Sequence, residues 1–227
     1  MKSFLAASAA VLTLIATASA DWVIEAKIES PQMNTGTIMK VKGDKIRADI
    51  TSGPAGALSS IMDSSTGDSI TLLHAQKMAM KSTGDQVKQA IEMAKKYTGQ
   101  AAGATTVKPK ATGQKEKVGE YDCEIWTWAD GGTSAKYWIA SNHPQAAVLK
   151  DLEKKMRKTA LGASQVGPDM SEIAGVPLKT ETEANGSKTT MSILSVKEAP
   201  VDAKDFEAPA DYQAMAMPTF PAAPAGK

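Results

Sequence analysis

Cys123 is the one thiol in a chain of 227 residues, and His74 and His143 are its two imidazoles. A thiol beside an imidazole can act as a nucleophile, because the ring takes its proton. Nothing in the spacing brings either histidine to Cys123, and an inert core cysteine with two surface histidines is the simpler reading. Asp63 and Asp68 bracket a Ser/Thr/Gly turn, but spacing and ligand number depart from a calcium loop. Aspartates that form turns explain them. Met78-Ala79-Met80 and Met215-Ala216-Met217 each set two thioethers two residues apart. Thioethers suit Cu(I). On a strand the same spacing places both side chains on one face, where methionine is a pliable lining. The sequence holds no nucleophile elbow, phosphate-binding glycine loop or zinc-protease helix. It therefore reads as a non-enzyme with no cofactor and no metal.

Lys108, Lys110, Lys115 and Lys117 form a basic stretch. Lysine protects an edge strand from pairing with another chain. The same stretch is a candidate surface for docking an acidic partner, such as another protein of the cell envelope. Asn185-Gly186-Ser187 matches a glycosylation acceptor, and its turn chemistry alone accounts for it. Lys+Arg number 26 against 25 Asp+Glu. That balance does not steer the chain to nucleic acid or an anionic membrane. Only Arg47 and Arg157 carry the guanidinium fork that phosphate and carboxylate readers favour.

These residues must be positioned outside the cytoplasm. Lys2, the uncharged run from Phe4 to Ala16 and Ala18-Ser19-Ala20 have the layout of a secretory signal, with cleavage expected before Asp21. The run is shorter than the ~20 residues of a membrane span. No cysteine follows to carry a lipid anchor, so a soluble periplasmic or extracellular protein is expected, with no membrane span. The 207 residues that remain suffice for one core. One cysteine allows no internal disulfide. Residues 21–212 read as one domain, and 213–227 as a disordered Ala/Pro-rich tail.

Period-two alternation marks strands at Trp22 to Glu29, Thr37 to Lys42 and Ile46 to Ile50. Short strands follow at Leu58 to Asp63, Ile70 to His74 and Lys77 to Lys81. A helix is expected from near Asp85 to Thr98, closed by Gly99. Lys108 to Lys117 reads as extended. Tyr121 to Trp128 and Ser134 to Ala140 flank Asp130-Gly131-Gly132 as a hairpin. A second helix is expected from about Pro144 to Leu161, capped near Ser141 or Asn142. It carries Leu149, Leu152, Met156 and Ala160 on one stripe. Val176 to Ala184 and Ser187 to Val196 flank Asn185-Gly186, which favours a type I′ turn.

The central hairpin is apolar on both faces. Tyr121, Cys123 and Ile125 alternate with Trp126 and Trp128, and Tyr137 and Ile139 alternate with Trp138. Neither face suits bulk water. Two helices can cover one face. The other needs a second layer, a curled sheet, a partner or an apolar ligand.

Four segments carry a resemblance. They are Lys45-Ile46-Arg47-Ala48-Asp49, Gly119 to Trp126, Tyr137-Trp138-Ile139-Ala140, and a C-terminal part comprising Gly175 to Lys179 and Phe206 to Tyr212. Together the chain resembles an exported bacterial family known as a domain of unknown function (forty-four twelve). The resemblance implies an α+β fold like the periplasmic lipoprotein carriers. That fold is a curled antiparallel sheet, close to half a barrel, with two main helices packed on it and an apolar cavity between. It implies no catalytic residues. The function expected is an exported binding module that shelters a lipid or a lipoprotein acyl group. Trp126, Trp128 and Trp138 would be its cavity aromatics, and Met78 and Met80 its adaptable lining. A structural or interaction protein of the envelope with a filled core is the alternative, and an uncharacterised enzyme, with Cys123 as its best candidate, is the third reading.

Overall fold

Strand alternation builds most of the molecule. The structure, a computed structural model, describes residues 20–51, 56–89, 105, 107–159 and 167–216. β1 (Trp22–Ser30) buries Ile24 and Ala26, and β3 (Lys45–Ile50) buries Ile46 and Ala48, as period two requires. β2 (Met33–Lys42) lies between them and pairs antiparallel with both. β4 (Leu58–Asp63), β5 (Ser69–Leu73) and β6 (Met78–Ser82) continue the meander. After a helical start, α1, at 84–89, come β7 (Lys110–Val118), β8 (Tyr121–Asp130) and β9 (Thr133–Ala140). Helix α2 (Ala146–Arg157) precedes β10 (Val176–Ala184) and β11 (Ser187–Glu198). A 3₁₀ turn at Ala203–Phe206 and β12 (Gln213–Ala216) end the described chain. Asn185 and Gly186 both have positive φ, 51° and 73°, as a type I′ hairpin turn requires.

All twelve strands form one sheet, ordered β12-β6-β5-β4-β3-β2-β1-β11-β10-β9-β8-β7. Every pairing is antiparallel except β12 with β6. The β1–β11 pairing joins the two halves. The sheet does not close, and β12 and β7 are its edges. Lys115 and Lys117 stand exposed on β7, where protection of an edge accounts for them.

Two sequence expectations need correction, and a third reaches outside the described residues. Gln213–Ala216 does not belong to a tail: it adds a parallel strand along β6, and the rest of the expected tail, 217–227, lies outside the described residues. Of two main helices, only α2 is described at length. The expected first helix begins at 84, and its stripe from Ile91 onward falls outside the described residues. α2 begins at Ala146, and neither Ser141 nor Asn142 caps it. Instead the backbone N–H of Gln145 donates to His143 Nδ1 at 3.2 Å.

That contact gives His143 a pH-dependent role. Burial pushes its pKa below the ordinary value, with Glu120 opposing the shift. The unfolded chain therefore takes up a proton near the ordinary value of about 6.5 while the folded chain resists it. The contribution is complete above that value and is lost as pH falls through the folded pKa. The urea midpoint is expected to drop between pH 7 and pH 5, and His143→Gln to flatten that part of the profile. Equal slopes for the two proteins would refute the assignment.

Three apolar clusters hold the sheet. Leu149 and Leu152 of α2 join Ile24, Val41, Ile46 and Met62, and the same cluster reaches Cys123, Trp138 and Val176. A second unites Trp128, Ala135, Tyr137 and Ile139 with Met170 and Ile173. A third places Val201 and Phe206 against Ile61, Leu72 and Ala79. The segment after β11 is thus strapped over the first half of the sheet. Lys40 pairs with Asp205 at 3.0 Å, and Arg47 Nη1 donates to the Asp205 carbonyl at 2.8 Å.

Candidate functional site

The β8–β9 hairpin is covered on both faces by the chain itself. One face, with Cys123, Ile125, Trp138 and Ala140, joins the cluster under α2. The other, with Trp128, Ala135, Tyr137 and Ile139, is covered by Met170 and Ile173 from the segment before β10. Each indole N–H has a partner. Trp126 donates to Glu124 at 3.1 Å, Trp128 to the Val107 carbonyl at 3.0 Å and Trp138 to Glu116 at 2.9 Å. Burial pushes the Tyr137 phenol up to about 12. These aromatics are packed, hydrogen-bonded parts of the fold.

A groove of about 610 Å³ opens where β7 to β11 lie side by side. Val107 and Ala129 give it exposed apolar surface, and the nearly buried Trp128 and Ala135 only border it. Lys108, Lys110, Lys136 and Lys188 stand against Glu181 and Glu183, and Thr127, Ser134 and Thr182 supply hydroxyls. Lysine stems add apolar area below their charged ends. The wall is therefore amphipathic, with more cations than anions.

Of the residues the sequence nominates, Trp128, Lys108 and Lys110 meet at this groove. Trp126 and Trp138 do not line it, nor do Lys115 and Lys117. Trp138 is 3% exposed, with the ammonium groups of Lys179 and Lys136 at 4.1 Å and 5.6 Å from its ring centre. Met78 and Met80 sit on β6, with eight strands between it and β8 in the sheet order, while Ala79 between them faces the core. The groove does not bring the tryptophans and methionines together. Lys136, Glu181, Glu183 and Lys188 escaped the sequence reading. Each looks like an ordinary polar strand position until the β8–β9–β10–β11 register brings them together.

Two smaller clefts are present. One of about 230 Å³ lies between α2 and Trp22, Val41 and Gly43. Another, of about 220 Å³, is lined by Val118 to Tyr121, His143, Leu178 and Ile193 to Ser195. β9 and β10 separate β8 from β11 in the sheet, so this contact requires the sheet to curl at that end.

The reactive side chains occupy structural positions. Cys123 is fully buried, its thiol donates to the Tyr121 carbonyl at 3.7 Å, and burial pushes its pKa up, away from the reactive thiolate. Asp63 Oδ1 accepts from the Ser65 backbone and hydroxyl, which is a turn contact. His74 Nε2 lies 2.7 Å from Ser59 Oγ, the spacing of a nucleophile and its base. Ser59 is only 1% exposed, however, and it also donates to Asp49 and accepts from Arg47. His74 Nδ1 meets the Tyr212 hydroxyl at 2.6 Å. The row Asp49–Ser59–His74–Tyr212 is a clasp between the sheet and the C-terminal strap. Among the described residues no helix is long and apolar enough to cross a membrane.

No curated protein matches the chain. Among solved structures it is similar to PNGF-II in a P21 crystal form, with 12% identity and a TM-score of 0.42 over 87% of this chain. It spans only 32% of that protein's length. It is also similar to the lipoprotein LppX of Mycobacterium tuberculosis, with 8% identity, a TM-score of 0.40, and 79% of this chain and 88% of that one covered. A LolA superfamily protein of Nitrosomonas europaea gives 10% identity and a TM-score of 0.31, over 84% of this chain and 91% of that one. A family model matches residues 22–212, almost all of the chain after the expected signal, and the chain belongs to that family, described as Domain of unknown function (DUF4412).

Proposed function

We propose that the protein is an exported binding module for an amphiphile, taken up by the groove between β7 and β11. One observation carries the reading: Val107, 39% exposed, and the exposed Ala129 share an open groove of about 610 Å³ with four lysine side chains. Ligand sites combine apolar surface with a few convergent polar groups, at volumes of ~300–1,000 Å³. The buried faces of the β8–β9 hairpin do not need a ligand to cover them, so an acyl chain would lie along the groove rather than inside the core. The packed Cys123 and the saturated Ser59 favour binding over catalysis. The run before Asp21 supports export, and a lipid or a lipoprotein acyl group is the ligand class the groove suits. The lysines of the 108–117 stretch also suit an acidic envelope partner, with Lys115 and Lys117 free of the groove.

The protein purified without detergent is expected to retain or take up one long-chain fatty acid in native mass spectrometry. Tryptophan emission should change on titration with oleate. An unliganded mass at all oleate concentrations, with unchanged emission, would sink the proposal.

A further inference from the structure

We infer that the groove selects an amphiphile with an anionic head group, a carboxylate or a phosphate, held between Lys110 and Lys136; the inference rests on the amphiphile reading above. Lys110 pairs in register with Thr127, and Thr127 with Lys136. Register partners leave the same face of a sheet, so the three side chains form one row across β7, β8 and β9. Adjacent strands lie ~4.8 Å apart, so the two lysines start ~10 Å apart with a hydroxyl between them. Two extended ammonium groups can close on one anion across that span.

The carboxylate in the same row is engaged. In the same row Lys136 pairs with Glu181, but Glu181 is held by Lys188 at 2.9 Å and Lys179 at 3.2 Å. Lys108 is held by Glu172 at 2.7 Å. Glu183, the other acidic lining residue, lies two positions along β10 from that row, opposite Ser134 and Lys188. Neither Lys110 nor Lys136 has an ion pair among the described residues. Edge protection can explain a lysine on β7. It cannot explain Lys136, because β9 is flanked by β8 and β10; the Lys136 ammonium stands 5.6 Å from the Trp138 ring centre, a contact that supplies no counter-charge. Two like charges turned into one groove repel each other, and an anion between them converts that repulsion into charge-assisted hydrogen bonds.

The test compares oleate with 1-oleoylglycerol, which keeps the chain and loses the charge, by calorimetric titration at low salt. Inorganic phosphate is titrated as a third arm. The wild-type protein is expected to bind oleate at least about tenfold more tightly than the neutral lipid. The doubly substituted protein, Lys110→Gln with Lys136→Gln, should lose that preference and keep its affinity for 1-oleoylglycerol. Equal affinities in the wild type, or an unchanged preference in the double variant, would overturn the inference while leaving the amphiphile reading intact. Binding of phosphate but neither lipid, abolished by the double substitution, would establish the anion cradle and refute the acyl chain. Binding of none of the three would refute both. Both replaced side chains are exposed, so an unchanged circular dichroism spectrum is expected.

Discussion

Gly175→Ala is expected to destabilise the protein by about 3 kcal/mol or more, although it adds a single methyl group. Gly175 has φ +110°, a region that side chains rarely adopt, and it precedes β10. A Cβ there would stand 2.5 Å from the Ala140 carbonyl oxygen and 2.9 Å from Ile139 Cγ2. Neither neighbour can yield cheaply. The first is backbone at the end of β9, and the second belongs to a buried residue, 3% exposed. Backbone strain of ~1–3 kcal/mol adds to overpacking of similar size. In a domain of this length that is a fall in melting temperature of roughly 10 °C. Because the β9–β10 register sets the groove, oleate binding should weaken along with stability. A urea midpoint unchanged from the wild type would show that the segment before β10 is freer to move than its contacts imply.

Phe206→Ala is expected to cost about 3–5 kcal/mol, the usual range for emptying a buried phenylalanine site. Phe206 is 5% exposed and packs with Ile61, Leu72 and Val201, far from the groove. The polar ties of the same strap are individually weaker. Tyr212→Phe removes the hydroxyl that meets His74 and should cost only about 1 kcal/mol. The contrast decides what fastens the C-terminal segment. Urea titration of the two variants, with limited proteolysis to read release of the strap, checks it. A Phe206→Ala protein no less stable than Tyr212→Phe would mean that the clasp, not the apolar anchor, holds the strap. Oleate binding should survive both substitutions.

Local patterning made much of this fold legible. Alternation in Trp22 to Glu29 and Ile46 to Ile50 marks β1 and β3 because one face of each is buried. Asn185-Gly186 marks the β10–β11 turn because both residues accept positive φ. β12 was hidden for the opposite reason. Gln213–Ala216 has no strand preference of its own and becomes a strand only by parallel pairing with β6, far away in sequence. α2 starts later than a serine or asparagine cap would place it, because Gln145 occupies the N-cap position and no side chain caps the first turn.

The candidate site divides the same way. Trp128, Lys108 and Lys110 are conspicuous by residue type. Lys136 and Glu181 acquire meaning only when three strands are set in register. The two-faced hairpin signalled burial correctly, but the identity of its cover was not in its own residues: Met170 and Ile173 arrive from a segment without periodicity. The Ser59–His74–Tyr212 row includes a contact, His74 to Tyr212, between side chains 138 residues apart, and no local spacing could announce it.

The most direct measurement of ligand binding in the groove is fluorescence quenching by a dibrominated stearate, which falls steeply with the distance between bromine and indole. Wild-type protein and Trp128→Phe are titrated side by side. Trp128 lines the groove, whereas Trp126 and Trp138 do not, so saturable quenching is expected in the wild type and most of it should vanish in the variant. Absence of quenching, or equal quenching in both proteins, would contradict a ligand site at the β7–β11 groove.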